Sequence, residues 1–480
     1  MNSETNMKTI EFSLKTLLPV LITLAITLNC IGQSLSPQQL QSDFATFKTA
    51  LKEIHPGMYR YTSEKTYDSL YACIEKELEM PMTRQEFYIK LNPVIAALHC
   101  GHTKWMADGK PEPYPFQDKG LFPLKLYFIG ERAWIEDSFD SEVPKGAEIV
   151  SINGTSISQI INRLLPNLTF ADGNTINGKY EDLNKNFPGF YSTFIGTADS
   201  YEIQYMANTG ETTVTLPSVS YTAIENYYKA RETKGVKPFR VSYSDDKTAV
   251  LRIERFWSMK EEQDYKDFLK KTFKELKNRN IENLILDLRN NEGGEETYGI
   301  LLYSYLTDKP FHYYKKITVA QKKKITVDAY LPKFYGIYKL LFLKKSGSEY
   351  QFKLAKFTKK YNPQQNAFKG KVYTLINGNS FSVTTEFSSI LHNNKRSTFI
   401  GRETGGAYYG DNSGVFGIVV LPESKLVMGI PMLAFYSNVA DYPYPDRGII
   451  PDHIITPTIE DIIQEKDPEM IFTLELINKD

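Results

Sequence analysis

The chain is poor in cysteine, in net charge and in long apolar runs. Its 480 residues include only three cysteines, which excludes a disulfide-dense scaffold and any zinc module built on four cysteines. The 57 basic residues balance the 57 acidic residues, which argues against a protein that binds nucleic acid or another polyanion with its whole surface. The apolar run from Leu17 to Leu28 is too short to span a bilayer comfortably, and no later segment has the length and polarity of a membrane span.

Several catalytic motifs are absent as well. The sequence has no G-x-S-x-G nucleophile elbow, no HExxH helix and no phosphate-binding P-loop. These absences disfavour an ordinary lipase or esterase, a zinc protease and a nucleotide hydrolase. What the chain does have is enough apolar sequence to bury real cores, since 41% of its residues are hydrophobic, and enough length for two or three domains.

The N-terminus has the pattern of an export signal. Basic residues precede the apolar run, and Cys30 and Gly32 are small residues placed for cleavage before Gln33. We therefore predict a signal peptide over residues 1–32 and a protein that is exported to the periplasm or secreted. Lipidation of Cys30 is the alternative, although Asn29 fits poorly before a lipidated cysteine. A buried N-terminal helix is the structural alternative.

Hydrophobic periodicity divides the remaining chain into three regions. Residues 33–112 are predicted to be helical, with a first helix that stops at His55. Residues 113–235 show short strands and turns, which indicates a small β-rich module. Residues 236–480 alternate apolar strands with amphipathic helices, which predicts α/β units on a buried parallel sheet and a C-terminal helix.

Two strand–helix–strand units are predicted in the third region. The first joins strands 250–253 and 284–288 through a helix over 259–278, and the second joins strands 372–376 and 398–400 through a helix over 384–392.

A basic insertion over residues 310–365 lies between these two units. Between residues 315 and 360, 13 lysines stand against two acids, Asp328 and Glu349, with Tyr, Phe and Leu interleaved. We interpret this segment as a solvated, partly mobile cover. The alternative is contact with an anionic membrane surface or with an acidic substrate.

Two segments place reactive groups at the ends of predicted elements. Residues 287–294 (DLRNNEGG) run from a buried strand into a turn closed by Gly293 and Gly294, whose N–H groups can stabilise an oxyanion, although such a turn is more often only a turn. Residues 377–387 (NGNSFSVTTEF) place Ser382 at a helix start, where the dipole and free N–H groups favour negative charge. The alternative for Ser382 is a helix cap, since Ser and Thr are preferred caps.

A third segment supplies a candidate base. A serine hydroxyl needs a base near neutral pH, and His102 follows a glycine at a predicted helix end, where it is accessible. A packed or capping histidine is the alternative. His99, Cys100 and His102 also form a soft-ligand cluster, but this spacing without further clear ligands is a weak zinc signal. No metal site is therefore predicted.

Taken in order, these segments resemble the C-terminal processing (tail-specific) serine peptidase family. The similarity is closest to its histidine-using branch, shared with the tricorn protease core and the interphotoreceptor retinoid-binding protein modules. The family motifs stand, in the right order, at residues 100–103 (CGHT), 287–294 (DLRNNEGG), 380–387 (SFSVTTEF), 401–406 (GRETGG) and 448–452 (GIIPD). Residues 145–146 and 152–154 resemble the family's PDZ-like domain more loosely.

The resemblance implies a crotonase/ClpP-like α/β core of βαβ units, with a helical N-terminal region and a PDZ-like module. It implies that Ser382 is the nucleophile and that Val383 and either Gly293 or Gly294 donate to the oxyanion. His102 is then the base, because Ala407 stands where the processing branch has its lysine.

The same resemblance implies further site residues. Thr404, Gly405 and Gly406 belong to the loop that follows the nucleophile and are predicted to bind substrate. The tricorn-like branch orients its histidine with a serine and a glutamate; Gly101 replaces that serine, and Asp446 lies at about the place of the glutamate. An acid there would hold the tautomer of His102. The alternative for Asp446 is a surface turn.

The implied function is that of an exported serine peptidase. It would cleave a polypeptide through an acyl-enzyme, without metal or organic cofactor, while the PDZ-like module captures an extended peptide by strand addition. A non-catalytic module that binds peptides or small ligands on the same fold is the alternative. Hydrolysis of an ester is a third interpretation, since the acyl chemistry is shared.

Overall fold

The computed structural model of the chain describes residues 34–106, 114–207, 210–233, 235–321, 324–353 and 359–479. The predicted signal peptide and Cys30 lie outside these residues. In the part of the chain that is described, no helix has both the length and the apolar character needed to cross a membrane.

The described residues form the helices α1 (Pro37–Ile54), α2 (Glu64–Glu77), α3 (Arg84–Ala96), α4 (Ile157–Leu164), α5 (Asn177–Phe194), α6 (Tyr221–Arg231), α7 (Tyr265–Asn278), α8 (Glu296–Ser304), α9 (Tyr335–Phe342), α10 (Val383–Asn393), α11 (Ile459–Ile463) and α12 (Pro468–Lys479).

The strands are β1 (Lys104–Met106), β2 (Leu124–Ile129), β3 (Arg132–Ser138), β4 (Glu148–Ile152), β5 (Thr155–Ser156), β6 (Ser200–Ala207), β7 (Gly210–Pro217), β8 (Phe239–Tyr243), β9 (Thr248–Ile253), β10 (Asn283–Asp287), β11 (Phe311–His312), β12 (Tyr314–Val319), β13 (Leu343–Ser346), β14 (Glu349–Phe352), β15 (Lys360–Tyr361), β16 (Lys371–Ile376), β17 (Thr398–Gly401), β18 (Asn412–Val420), β19 (Val427–Ser437) and β20 (His453–Ile454).

The N-terminal helices begin and end where their sequence signals lie. Ser36 caps α1 in a capping box with Gln39, and α1 ends at Ile54, directly before His55-Pro56. Thr83 and Glu86 form the same box at the start of α3. Helices are present over most of this region, as predicted, but Lys104–Met106 form strand β1.

The middle region holds a sheet in the strand order β2–β3–β4–β6–β7, with β5 paired to β4. The expectation of short strands and turns is wrong for α5, which spans 18 residues. Pro188 and Gly189 lie inside this helix, and Asn186 has non-helical angles at a kink. These helix-breaking residues obscured its periodicity, and packing of its buried face onto β2 overrides their local preference.

The predicted α/β units form the sheet β20–β17–β16–β10–β9–β8, in which every pair except β8–β9 is parallel. Helix α7 starts six residues later than predicted, where Asp264 caps it. Asp287 of β10 pairs with Leu375 of β16. The turns that follow these two strands therefore meet at one edge of the sheet.

A second sheet has the order β1–β19–β12–β14–β13, with β18 also paired to β19. It joins distant parts of the chain, since Trp105 of β1 lies opposite Met428 of β19. The interpretation of the basic insertion as a solvated cover is therefore only partly right. Ile317 and Val319 of β12 are buried in this sheet, whereas α9 has no buried residue.

One apolar cluster spans regions that are far apart in sequence. It includes Phe44 of α1, Phe122 before β2 and Met428 of β19. A second cluster fills the space between the parallel sheet and its helices, with Leu286 of β10 and Phe387 of α10 among its members. The shared core and the β1–β19 pairing together place the end of the N-terminal helical region against the start of α10.

Candidate active site

Side-chain amides join the two motif turns that follow β10 and β16. The Asn290 N–H donates to the Asn377 side chain at 2.9 Å, and the Asn377 amide donates to the Asn290 side chain at 2.8 Å. The Phe381 N–H donates to the Asn291 carbonyl at 3.1 Å. Each turn therefore fixes the position of the other, and both lie beside Ser382.

Ser382 has a strained backbone at the start of α10. Its φ is 54° and its ψ is −129°, and its side chain makes no capping hydrogen bond. A non-glycine residue in such a region costs about 1–3 kcal/mol and persists only where its surroundings enforce it. The helix-cap alternative for Ser382 therefore has no support in the geometry, since the hydroxyl is directed elsewhere.

Glycine is required at position 293 because the backbone there approaches Ser382. Gly293 has a φ of 99°, and a Cβ on it would lie 2.7 Å from Ser382 Cβ and 3.0 Å from Val383 N. No L side chain fits that space. The turn of the first motif thus packs directly against the nucleophile candidate.

His102 lies opposite the Ser382 hydroxyl, in the short turn between α3 and β1. Its Nε2 is 3.1 Å from Ser382 Oγ, and its ring stacks on Phe381 with centroids 4.7 Å apart. A Cβ on Gly101 would lie 2.6 Å from the Phe381 ring, so the ring fills the space that a serine side chain at position 101 would need. The structure thus brings together the two residues that the sequence assigned as nucleophile and base.

The surroundings of His102 favour the neutral imidazole that a general base needs. Burial lowers the pKa of His102 below its ordinary value, while the charge of Asp411 raises it and that of Lys104 lowers it. The net direction is downward. The ring is therefore ready to accept a proton at neutral pH.

Asp446 is not bonded to His102, and the buried acid whose charge acts on the pKa of His102 is Asp411. Asp446 Oδ2 accepts a hydrogen bond from Asn174 at 2.5 Å, and in the described residues no hydrogen bond or ion pair joins Asp446 to His102. Asp446 instead lines a cavity of about 810 Å³ together with Arg60 and Lys315, a cavity that Ser382 does not line. Asp411 is buried, and its Oδ2, like Nδ1 of His102, has no hydrogen-bond partner.

The candidate oxyanion donors differ in their availability. The Gly293 N–H donates to the Asn291 side chain at 2.9 Å. Within the described residues, the N–H groups of Gly294 and Val383 make no hydrogen bond. A cavity of about 380 Å³ borders Gly293 and Gly294, which gives the turn an opening toward solvent.

Thr404, Gly405 and Gly406 are buried beneath the nucleophile turn. The Thr404 hydroxyl donates to the Gly406 carbonyl at 3.0 Å, and the Gly405 N–H donates to the Ser380 carbonyl at 3.2 Å. A Cβ on Gly406 would lie 2.5 Å from Thr385 Oγ1. These contacts hold the turn in place, and the prediction that the three residues bind substrate stays a prediction.

Sequence reasoning missed the asparagines and Asp411. The two motif segments, 287–294 and 377–387, contain Asn290, Asn291 and Asn377. Their position at strand ends could have indicated this role, because an asparagine amide can hydrogen-bond both backbone and side chains. Asp411 had no comparable signal, because nothing in its local sequence links it to His102.

One group of donors could hold a metal ion. Cys100, His102 and Asp172 bring one ligand atom each to within 4.8 Å of one another. His99, which the sequence grouped with them, instead bonds the Gly173 carbonyl through Nδ1 at 2.9 Å. Neither Cys73 nor Cys100 forms a disulfide.

Comparison with known families gives one match, in which residues 247–455 match peptidase family S41. These residues contain the strand-turn motif, the nucleophile segment and Asp411, and they exclude His102. No curated protein matches the chain.

Two of the similar solved structures are of CPAF. A CPAF mutant aligns at 15% identity and a TM-score of 0.64, covering 92% of this chain and 98% of that one. Mature CPAF complexed with lactacystin aligns at 16% identity and a TM-score of 0.62, covering 92% and 100%. At this identity the similarity shows a shared fold. The similarity in fold covers 92% of the chain and so extends well beyond residues 247–455.

Proposed function

The chain carries a domain of peptidase family S41 and is a serine peptidase, and we propose that it works through a Ser382–His102 pair. The observation that carries this proposal is the 3.1 Å distance between Ser382 Oγ and His102 Nε2. Ser382 Oγ attacks the carbonyl carbon of a peptide bond while His102 Nε2 takes its proton. The resulting imidazolium gives that proton to the leaving amine, and water then releases the acyl group.

The tetrahedral oxyanion is held by backbone N–H groups. Val383 and Gly294 are the proposed donors because their N–H groups are unengaged, whereas that of Gly293 is taken by Asn291. The N-terminus of α10 adds its partial positive charge at the same point. Gly293 contributes by allowing the close approach to Ser382.

Asp411 is the proposed positioning residue for His102. Its charge raises the pKa of His102 and stabilises the imidazolium that forms during attack. The sequence-based candidate, Asp446, stays the competing assignment.

Hydrolysis of an unstructured protein tests the proposal. Wild type should degrade it and Ser382→Ala should not. Ser388→Ala is the matched control, since Ser388 lies buried on the same helix with a hydroxyl that has no hydrogen-bond partner. A wild type that hydrolyses only small esters would favour the esterase interpretation, and a folded wild type without hydrolysis would favour the binding module.

Export is proposed from the N-terminal signal alone. The mass of the chain recovered after expression with its native N-terminus tests it: cleavage gives a mature protein that begins at Gln33. A mass that includes a lipid on Cys30 would establish the lipoprotein alternative, and an uncleaved chain would contradict both.

The middle region is proposed to act as a PDZ-like module over residues 113–235. Strand β7 is the edge of its sheet, and alternate residues along it are exposed, so an extended peptide could pair there. Binding of a peptide to the Ser382→Ala variant should protect the β7 amides from hydrogen exchange. Unchanged exchange in β7 with peptide bound would contradict this role.

We also propose that the basic insertion contacts an anionic membrane surface. Phe334, Ile337, Leu340 and Leu341 on and before α9 are exposed, with Leu340 at 81%. Exposed lysines flank this apolar patch at residues 333, 344 and 345. Apolar side chains beside lysines match an interface of acyl chains and anionic headgroups.

Co-sedimentation with vesicles tests this contact. Wild type should bind vesicles that contain phosphatidylserine and not pure phosphatidylcholine, and the double change Leu340→Ser with Leu341→Ser should abolish binding. Ile454→Ser is the matched control, since Ile454 is equally exposed but lies far from the insertion in sequence. Vesicle binding that survives the double change, or a patch that instead joins two copies of the chain in sedimentation velocity, would contradict the proposal.

A further inference from the structure

Three side chains that could bind a metal ion lie close together beside Ser382, and one of them is His102 itself. Cys100 and His102 come from the turn after α3, and Asp172 comes from the loop before α5. One donor atom of each lies within 4.8 Å of the other two. The Gly101 N–H donates to Asp172 Oδ1 at 2.9 Å and so holds the two segments together.

Two of these residues carry a polar atom that has no hydrogen-bond partner in the described protein. Nδ1 of His102 and Oδ2 of Asp172 are buried without a hydrogen bond, and Asp172 is 1% exposed. The Cys100 thiol, also 1% exposed, lies 3.5 Å from Thr103 Oγ1 and 3.7 Å from the Asn412 carbonyl, and the backbone N–H groups of His102 and Thr103 also interact with it. A buried polar atom without a partner is energetically unfavourable, and a bound ion is one of its explanations.

The local charge also suits a cation. Asp172 and Asp411 are both buried, and their charges repel each other. A divalent cation would relieve the repulsion between the two carboxylates. Arg60 supplies one positive charge, which only partly offsets them.

We propose that Cys100, His102 and Asp172 form an inhibitory site for Zn²⁺ or a similar thiophilic divalent cation. A thiolate, an imidazole and a carboxylate are a ligand set that zinc accepts, with the fourth position left to water. The ring nitrogen available to the metal is Nδ1, since Nε2 faces Ser382.

Binding redistributes two protons and no electrons. The thiol proton leaves to solvent as the thiolate–metal bond forms, and the ring proton moves from Nδ1 to Nε2. A histidine that carries its proton on Nε2 cannot accept the proton of Ser382. This inhibitory consequence rests on the proposed function, whereas the binding itself does not.

Absorption spectroscopy with Co²⁺ tests the binding without any need for activity. Titration of the full chain should give a near-ultraviolet thiolate-to-cobalt band that Zn²⁺ removes by competition. Cys100→Ser should lose the band, while Cys73→Ser and Cys30→Ser, the matched cysteine controls, should keep it. A folded wild type without the band, or a band that survives Cys100→Ser, would overturn the site.

The inhibitory role is read from labelling with a fluorophosphonate before and after Zn²⁺. Saturating Zn²⁺ should abolish labelling of wild type. The Cys100→Ser variant should be labelled at the same rate with and without Zn²⁺. Labelling that continues in the Co²⁺-bound or Zn²⁺-bound wild type would overturn inhibition. A protein that shows the cobalt band but is never labelled, even with metal removed, would contradict the Ser382–His102 mechanism and support the metal site.

Discussion

At the scale of single residues, the positive φ and missing side chain of Gly293 allow its backbone to pack directly against Ser382. Gly293→Ala adds a Cβ that would lie 2.7 Å from Ser382 Cβ and 2.9 Å from the Phe381 carbonyl. We expect this change to abolish hydrolysis while costing about 1–3 kcal/mol of stability from backbone strain. Activity and urea denaturation together measure the two effects.

Gly130→Ala is the control that separates strain from displacement of Ser382. Gly130 also has a positive φ, 59°, but a Cβ there meets nothing within 4 Å. It should lose similar stability and keep full activity. If the two alanine variants lose activity equally, close packing at position 293 is not what positions the nucleophile.

The charge of Asp411 should be visible in the pH dependence of hydrolysis. The proposed mechanism predicts that activity rises with pH as His102 loses its proton, and the charge of Asp411 raises the pKa of His102. Asp411→Asn removes that charge, so the acidic limb of kcat/KM should move to lower pH while the rate itself falls, because the imidazolium loses its counter-charge.

Asp446→Asn is the companion variant, because it tests the assignment made from sequence. Its acidic limb should coincide with that of wild type, since Asp446 is bonded to Asn174. A shifted limb in Asp446→Asn and an unchanged one in Asp411→Asn would reverse the two roles. The sequence could place an acid near the last motif, but the position of Asp411 follows from the approach of β18 to the turn after α3, where the Cys100 thiol lies 3.7 Å from the Asn412 carbonyl.

At the scale of elements, a buried ion network holds the end of β10 to the C-terminal helix. Asp287 pairs with Arg252 at 2.7 Å and with Arg289 at 2.9 Å, and Arg289 reaches Asp467 at 2.7 Å. The DLR part of the motif is therefore structural and positions the turn that ends in Gly293 and Gly294.

Asp287→Asn should destabilise the protein by about 3 kcal/mol, because Arg252 and Arg289 lose the charge of the buried carboxylate that they share. Burial raises the pKa of Asp287, but Arg289 and Arg252 outweigh it and lower the pKa below its ordinary value. The stabilisation is therefore present above the unfolded pKa of about 4 and is lost as the pH falls below it. Urea denaturation at several pH values measures the difference.

Asp267→Asn is the matched control for this network. Asp267 pairs with Lys271 one turn along α7, and both side chains are more than half exposed. It should change stability by no more than about 0.5 kcal/mol. Equal losses from the two asparagine variants would mean that the Asp287 network does not anchor the turn.

Strands and helices with regular patterns could be predicted from sequence, and α5 shows why others could not. The two parallel units were predicted because β9, β10 and β16 are nearly all apolar and their helices amphipathic. In α5, tertiary packing stabilises a helix in spite of Pro188 and Gly189.

At the scale of the whole molecule, the candidate site depends on a pairing between distant segments. Lys104 of β1, which is two residues after His102, lies opposite Gly429 of β19, which follows α10 in the sequence. The order of motifs in the sequence suggested that His102 and Ser382 act together. Their approach across 280 positions is set by this pairing and by the shared core, which no local pattern encodes.

The most direct test of the central claim is intact-mass spectrometry of the mature chain after exposure to a fluorophosphonate. The Ser382–His102 mechanism predicts a single adduct on wild type and on Ser388→Ala, and none on Ser382→Ala or His102→Ala. An adduct that persists on folded Ser382→Ala, or its absence from folded, metal-free wild type, would contradict it.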